Sequence, residues 1–314
     1  MNNEKPILVT GSHRSGTTWT GKMLAAAPNT AYIHEPFNQE LKLGLSPTDF
    51  NQTFKYITES DSEKYKLWFG KILKYNYPLF RNLTRSRSID DILKLANKQS
   101  FYLSHKLRCS RPIVKDPIAI FSAEWIHENF NTHVLIMVRN SFSFCSSLKI
   151  KKWNFNFGYF LEQPLLMEKY LHKYEREIRE YTKTTKSIIE QAILLWNCIH
   201  ETIMTYQKNH PDWLFIKHED LSLDPVHQFE AIYKEFGLEF TDDAKLKIIE
   251  SSGEHNPTEQ QKDNEFVRNS KKNIDNWKIR LTDDEITMIK AKTAEISSAL
   301  YPRNSWSPNT TATS

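Results

Sequence analysis

The chain is short of cysteine, of long apolar runs and of any excess of one charge, and each shortage excludes something. Its 3 cysteines, Cys109, Cys145 and Cys198, are odd in number and form no Cys-x-x-Cys pair. That rules against a disulfide framework and a thiolate zinc site and leaves reduced, mostly buried thiols. No apolar stretch approaches the ~20 residues a bilayer-spanning helix needs. The N-terminus has no basic segment followed by an apolar one, so the expectation is a cytoplasmic protein without an integral membrane segment. Lys and Arg number 42 against 38 Asp and Glu, a net charge of +4. No basic stripe or nucleic-acid motif accompanies it, so nucleic acid is not expected as a partner, while a mild positive balance suits a site for a multiply anionic ligand. No internal repeat or low-complexity block interrupts the chain. What remains, 39% hydrophobic and 25% charged over 314 residues, is the composition of a globular enzyme.

Strand and helix patterns alternate. Residues 6–10 (PILVT), 30–34 (TAYIH), 111–114 (RPIV), 133–138 (HVLIMV) and 213–216 read as short buried strands. Residues 17–27, 118–129, 141–150, most of 165–207, 225–236, 242–251 and 283–299 read as helices, the last capped by Thr282. Such alternation predicts an α/β, three-layer fold of the P-loop kind, a central parallel sheet flanked by helices. Residues 38–110, with helical pieces at 62–73 and 89–97, read as a helical insertion or lid. The expected organisation is one domain over residues 1–306 and a disordered tail over 307–314, with a polar loop at 254–276.

The first strand runs into Gly11-Ser12-His13-Arg14-Ser15-Gly16-Thr17-Thr18-Trp19. A loop joining a buried strand to a helix start aims backbone N–H groups at one point, and the helix dipole adds to their pull on an anion. Gly11 and Gly16 permit tight turns, and Arg14 with the hydroxyls of Ser15, Thr17 and Thr18 supplies further donors. The spacing of the two glycines is that of a Walker loop, but Thr17 stands where the Walker lysine would be, and no acidic strand end offers to hold magnesium. The site is therefore expected to grip phosphate without the apparatus for splitting a nucleoside triphosphate, and no metal is expected. A kinase-like P-loop transferase and a non-catalytic nucleotide-binding module are the competing readings.

Arg14-Ser15-Gly16-Thr17-Thr18-Trp19 after a strand resembles the 5′-phosphosulfate loop of sulfotransferases that use PAPS (3′-phosphoadenosine 5′-phosphosulfate). Arg139 at a strand end, followed eight residues later by Ser147 on a helix, is similar to that family's 3′-phosphate site. Lys217-His218-Glu219-Asp220-Leu221 resembles its Tyr-Glu-Asp-Leu segment, with His218 in place of tyrosine. Arg268-Asn269-Ser270-Lys271-Lys272 with Trp277-Lys278 resembles its C-terminal cofactor loop without the glycines. The resemblance implies that residues 11–19, Arg139, Ser147, His218, Arg268, Ser270 and Lys271 bind PAPS, with PAP the product. The partner is then a hydroxyl-bearing acceptor.

Transfer to a hydroxyl needs a general base near the loop. Glu35, just past the second strand in His34-Glu35-Pro36, is the first candidate, and strand alternation would turn His34 the other way. Lys115 is expected to steady the transferred group and Arg14 the leaving phosphate. Small-molecule members of the family continue the Lys115 segment as Lys-Thr-His, with His as base; here Asp116 and Pro117 follow. The carboxylate and the Glu35-Pro36 segment together resemble the bacterial and carbohydrate-type branch, which implies a sugar or glycan acceptor; a lipid or polyketide hydroxyl is the alternative. Aromatic and basic residues of the insertion and of 149–160, among them Trp68, Tyr75, Tyr77, Arg81, Arg85, Lys151, Lys152, Trp153 and Phe157, are the expected sugar contacts.

Overall fold

A computed structural model describes residues 4–257 and 267–302. The tail expected at 307–314 lies outside the described residues, as does part of the polar loop. Five parallel strands form one sheet: β1 (Ile7–Gly11), β2 (Thr30–His34), β3 (Arg111–Lys115), β4 (His133–Val138) and β5 (Leu214–Lys217), in the order β2-β3-β1-β4-β5. Register is continuous across the centre, where Val9 lies opposite Lys115 on one side and Leu135 on the other. Such strands are covered on both faces, and alternation sorts their side chains. Ile7, Val9, Ile113, Leu135 and Met137 point into one apolar layer. Leu8, Ile33, Val114, Val134 and Ile136 point into the other.

The first layer is closed by α1 (Thr17–Leu24), whose Met23 and Leu24 are buried, and by two helices near the C-terminal third, at Pro225–Glu235 and Asp242–Ser252. On the opposite face lie the helices between β2 and β3: α2 (Glu59–Leu73), α3 (Leu79–Arg85) and α4 (Ile89–Leu107). They are joined there by α5 (Ala123–Phe130), α6 (Ser141–Lys151), α7 (Ile188–Asn209) and a last long helix at Asp283–Leu300. Ser187 with Glu190, and Thr282 with Glu285, form reciprocal capping boxes that start α7 and the last helix.

The elements differ from the sequence reading mainly at their ends. The first helix stops at Leu24, short of 27. The helix expected over 118–129 opens as a 3-10 turn, Pro117–Ser122, because the Asp116 carboxylate accepts from the Ile118 N–H and pins the tighter turn before α5 begins. Residues 164–181 break into short helical pieces before α7 starts at Ile188. Helix α4 runs on to Leu107 rather than ending near 97. The polar loop contains a short helix, Ser270–Asn273.

The chain runs from β1 out to the edge strand β2, returns to β3 beside β1, and then crosses to β4 and β5 on the other side. The strand order therefore reverses at β1, and the crevice at the carboxyl end of that strand is where ligands bind in open parallel sheets.

Candidate active site

The loop at this crevice is shaped by two glycines that no other residue could replace. Gly11 has φ 134, and a Cβ there would lie 2.3 Å from the Met137 carbonyl oxygen on β4. Gly16, capping α1, has φ 86, and its Cβ would lie 2.6 Å from His218 Nδ1. Arg14 also sits in the left-handed region, at φ 65. The Ser15 hydroxyl donates back to the Ser12 carbonyl, closing the turn. Thr17 and Thr18 open α1 and face the cleft.

Arg139 follows β4, and its guanidinium donates to the Arg14 carbonyl. Ser147, on α6, accepts from Arg14 Nε at 3.0 Å. The two halves of the expected phosphate machinery, 125 and 133 residues from Arg14 in sequence, therefore meet on that one residue. Burial, with Arg14 and Arg268 close by and Glu219 opposing, lowers Arg139 to about 10, so it stays charged at neutral pH. Trp196 and Asn140, which the sequence reading passed over, and Glu219, which it gave no role of its own, fix the segment that carries it. Trp196 on α7 donates from Nε1 to the Arg139 carbonyl at 2.9 Å. Asn140 caps α6, its side chain accepting from the Ser143 N–H at 2.8 Å. Glu219, buried, accepts from the Asn140 N–H at 3.1 Å and from Tyr301 Oη at 2.9 Å. An Asn before a helix-forming run is a legible cap signal; the Trp196 and Glu219 contacts carry no local signal.

His218 is buried against Gly16, and burial, with Arg139 and Arg268 adding, holds it well below its ordinary range and so neutral. Arg268 N–H donates to the Ser251 carbonyl at 3.0 Å. Ser270 is buried, its hydroxyl donating to the Ser222 carbonyl at 2.7 Å. Lys271 is exposed, 3.5 Å from Glu254. Trp19 turns away from the loop: its indole donates to Ser251 Oγ at 2.9 Å and packs edge-on against Phe229, docking α1 into the first apolar layer.

Around the loop, several buried polar atoms find no hydrogen-bond partner among the described residues: Ser12 Oγ, Arg139 Nε and both ring nitrogens of His218. Buried polar atoms are almost always satisfied. A concentration of such atoms, a guanidinium donor among them, around one glycine-bounded loop fits a ligand carrying more than one phosphate.

The other wall of the cleft carries the titratable groups expected to take part in proton transfer. Glu35 leaves β2 with φ 42. Its carboxylate pairs with Lys115 and accepts from Asn38 Nδ2 at 2.7 Å. Burial alone would raise the carboxyl, but the adjacent Lys115 ammonium, His34 and these hydrogen bonds hold it below the ordinary carboxylate range. Lys115 is fully buried, which disfavours its charge, and Glu35 offsets part of that. Strand alternation does not carry past His34, because the left-handed turn at Glu35 brings the two side chains to one side; His34 Nε2 lies 3.9 Å from Glu35 Oε2. Asp116 clamps the whole segment: its carboxyl oxygens accept from the Phe37 N–H at 2.6 Å and the Ile118 N–H at 3.0 Å. Burial, then Glu35, pushes Asp116 up to about 8. The sequence reading used Asp116 only as a missing histidine, although Asp before Pro at a helix start is a cap signal.

A cleft of about 380 Å³ joins the two walls, lined by His13, Arg14 and Thr18 on one side and Glu35 on another. Its outer lining mixes aromatic rings, Phe54, Trp153, Phe155 and Tyr159, with the carboxamides of Asn38, Gln39, Asn154 and Asn156. His13 is wedged among Phe54, Phe144 and Trp153, and burial, then Arg14, lowers it to about 3. Of the aromatic and basic residues expected to touch sugar, Trp153, Phe155 and Tyr159 line this cleft, and none from the 68–85 segment does. Trp68, Tyr75 and Tyr77 donate to the Leu45, Ser110 and Leu43 carbonyls, and Arg81 to those of Ser46 and Gly44. They are consumed in packing the helices, which need those loop carbonyls satisfied.

A family model described as the sulfotransferase family matches residues 6–242. No curated protein matches the chain. Among solved structures, the chain is similar to a sulfotransferase domain from the curacin biosynthetic pathway, at 14% identity and a TM-score of 0.50, over 96% of this chain and 98% of that one. A sulfotransferase domain from the Synechococcus PCC 7002 olefin synthase matches at 16% identity and a TM-score of 0.44, over 93% and 96%. A mouse sulfotransferase complexed with PAP matches at 14% and 0.42, over 97% and 86%.

Proposed function

The chain belongs to the sulfotransferase family, and from that premise we propose that it moves the sulfuryl group of PAPS to a hydroxyl of a saccharide acceptor, leaving PAP. The observation that carries the reading is the meeting of Arg139 and Ser147 on Arg14 of the phosphate loop, across one cleft from the Glu35–Lys115 pair.

PAPS supplies an already good leaving group, so the residues are left with positioning, charge stabilisation and one proton. The loop N–H groups, Thr17 and Thr18 hold the 5′ end, and Arg14 stabilises the charge that develops there. Arg139 and Ser147 hold the 3′-phosphate, and His218 beside Gly16 with Arg268 and Ser270 borders the nucleotide; Lys271, at the surface, guards its approach. Glu35, ionised at neutral pH, takes the acceptor proton. Lys115 holds Glu35 in place and offers its ammonium to the transferred group. Aromatic faces and carboxamides at the mouth suit a neutral polyol, whose C–H faces stack and whose hydroxyls pair with amides. The apolar rings equally favour the second reading, a lipid or polyketide hydroxyl.

Calorimetric titration with PAP tests the donor site. Binding should be equal with and without EDTA; a strict requirement for magnesium would overturn the reading in favour of a nucleoside triphosphate enzyme.

A further inference from the structure

Outside the cleft, large apolar side chains are exposed together on α3 and α4. Phe80 is 83% exposed, Ile89 81% and Leu107 76%, with Leu83, Ile92, Leu93 and Leu103 also exposed. On α4 the positions 89, 92, 93, 96, 103 and 107 recur at the three-, four- and seven-residue steps that place them on one helix face. That face is separate from the buried one, which carries Asp91, Leu95 and Tyr102. Scattered exposed apolar residues need no explanation, but a continuous patch does.

The same segment concentrates positive charge. Residues 79–108 hold seven Lys and Arg (81, 85, 87, 94, 98, 106, 108) and two Asp (90, 91), a net +5. The whole chain is +4, so the remainder is 4 − 5 = −1. Arg87 and Arg108 are exposed at the two ends of α4, next to Ile89 and Leu107, and Lys94 is exposed along its flank. Apolar side chains along a helix with basic residues at its ends and flank match the chemistry of a helix lying in the headgroup layer of an anionic bilayer, the apolar side chains entering and the basic ones reaching lipid phosphate. A second copy of the chain fits less well, because pairing this face with itself would bring like charges together. The helix pair also reaches toward the active cleft: Gln39 lines both the cleft and a neighbouring hollow whose wall includes Arg85 of α3.

We propose that the α3–α4 face docks the enzyme on an anionic membrane surface. The inference rests on this surface and not on the assigned chemistry. Docking there would bring the cleft mouth beside the bilayer, where a membrane-borne acceptor is presented.

The test is co-sedimentation of the full chain with vesicles of phosphatidylcholine alone and of phosphatidylcholine mixed with phosphatidylglycerol. Binding to the mixed vesicles, weak binding to the neutral ones and release by salt are expected. Arg87→Glu with Lys94→Glu should lower partitioning by roughly fivefold or more per residue, and Ile89→Glu with Leu93→Glu and Leu107→Glu should abolish it. PAP affinity should be unchanged in both variants, which reports an intact fold. No binding to mixed vesicles, or equal binding by the variants, would overturn the proposal. So would velocity sedimentation in which the Glu variants turn a dimer into a monomer while the parent ignores vesicles, since a second copy would then be the occupant.

Discussion

Glu35 is held in a left-handed conformation that few non-glycine residues adopt, at φ 42. The Lys115 and Asp116 contacts on either side of it overdetermine that geometry. They make the carboxylate a fixed, ionised acceptor facing the cleft. Glu35→Gln keeps the shape and removes the basicity, so turnover should fall by roughly a hundred- to ten-thousand-fold with PAP affinity unchanged; near wild-type turnover would remove Glu35 from the mechanism. Lys115→Met tests the electrostatics. In the parent the lowered pKa keeps Glu35 ionised down through the ordinary carboxylate range, so activity should be lost only at pH below it. With the ammonium gone, burial is opposed only by His34 and the Asn38 hydrogen bond, so the carboxyl rises and the acid limb of the rate profile should move to higher pH. An acid limb that does not move would mean that another group takes the proton. Arg139→Ala should weaken PAP by about 1.5–3 kcal/mol, as for a hydrogen bond to a charged group. It should weaken adenosine 5′-phosphosulfate, which lacks the 3′-phosphate, far less, and equal losses would refute the 3′ assignment.

Single elements do little alone here; the site is made by the ends of several. The β1–α1 connection has to pass beneath His218, which is why position 16 tolerates no side chain. Gly16→Ala meets both a positive φ and the imidazole, and should cost roughly 1–3 kcal/mol in denaturant unfolding while weakening PAP binding. Unchanged stability would show that the loop relaxes freely. The turn after β3 is the second joint. Asp116→Ala leaves the Phe37 and Ile118 N–H groups without their acceptor, a cost of roughly 1–3 kcal/mol for each buried donor. Since the Phe37 bond fixes the Glu35 segment, turnover should fall as well. Stability lost with full turnover retained would confine Asp116 to a structural role.

At the scale of the molecule, the cleft mouth decides the acceptor. Its rings and carboxamides should give higher kcat/KM for neutral oligosaccharides than for p-nitrophenol; efficient transfer to the phenol with none to any saccharide would overturn the acceptor while leaving the donor chemistry standing. The sequence alone determined the sheet's strands and the glycine-bounded turn after β1, because each is local: β-branched runs and glycines at fixed spacing are written within a few residues, and the family resemblance pointed to Arg139 and Ser147 as expected partners of that turn. It also placed Glu35 as a candidate. It did not reach the anchors of these residues, since Phe37 and Asp116, or Asn140 and Glu219, stand 79 residues apart and meet only when parallel strands bring their ends together. Nor did it separate ring-lined cleft from ring-filled core. Trp68 and Trp153 are the same residue type in similar company, and only tertiary packing, which had to satisfy the Leu45 carbonyl with one and left the other 46% exposed at the cleft, assigned them different work.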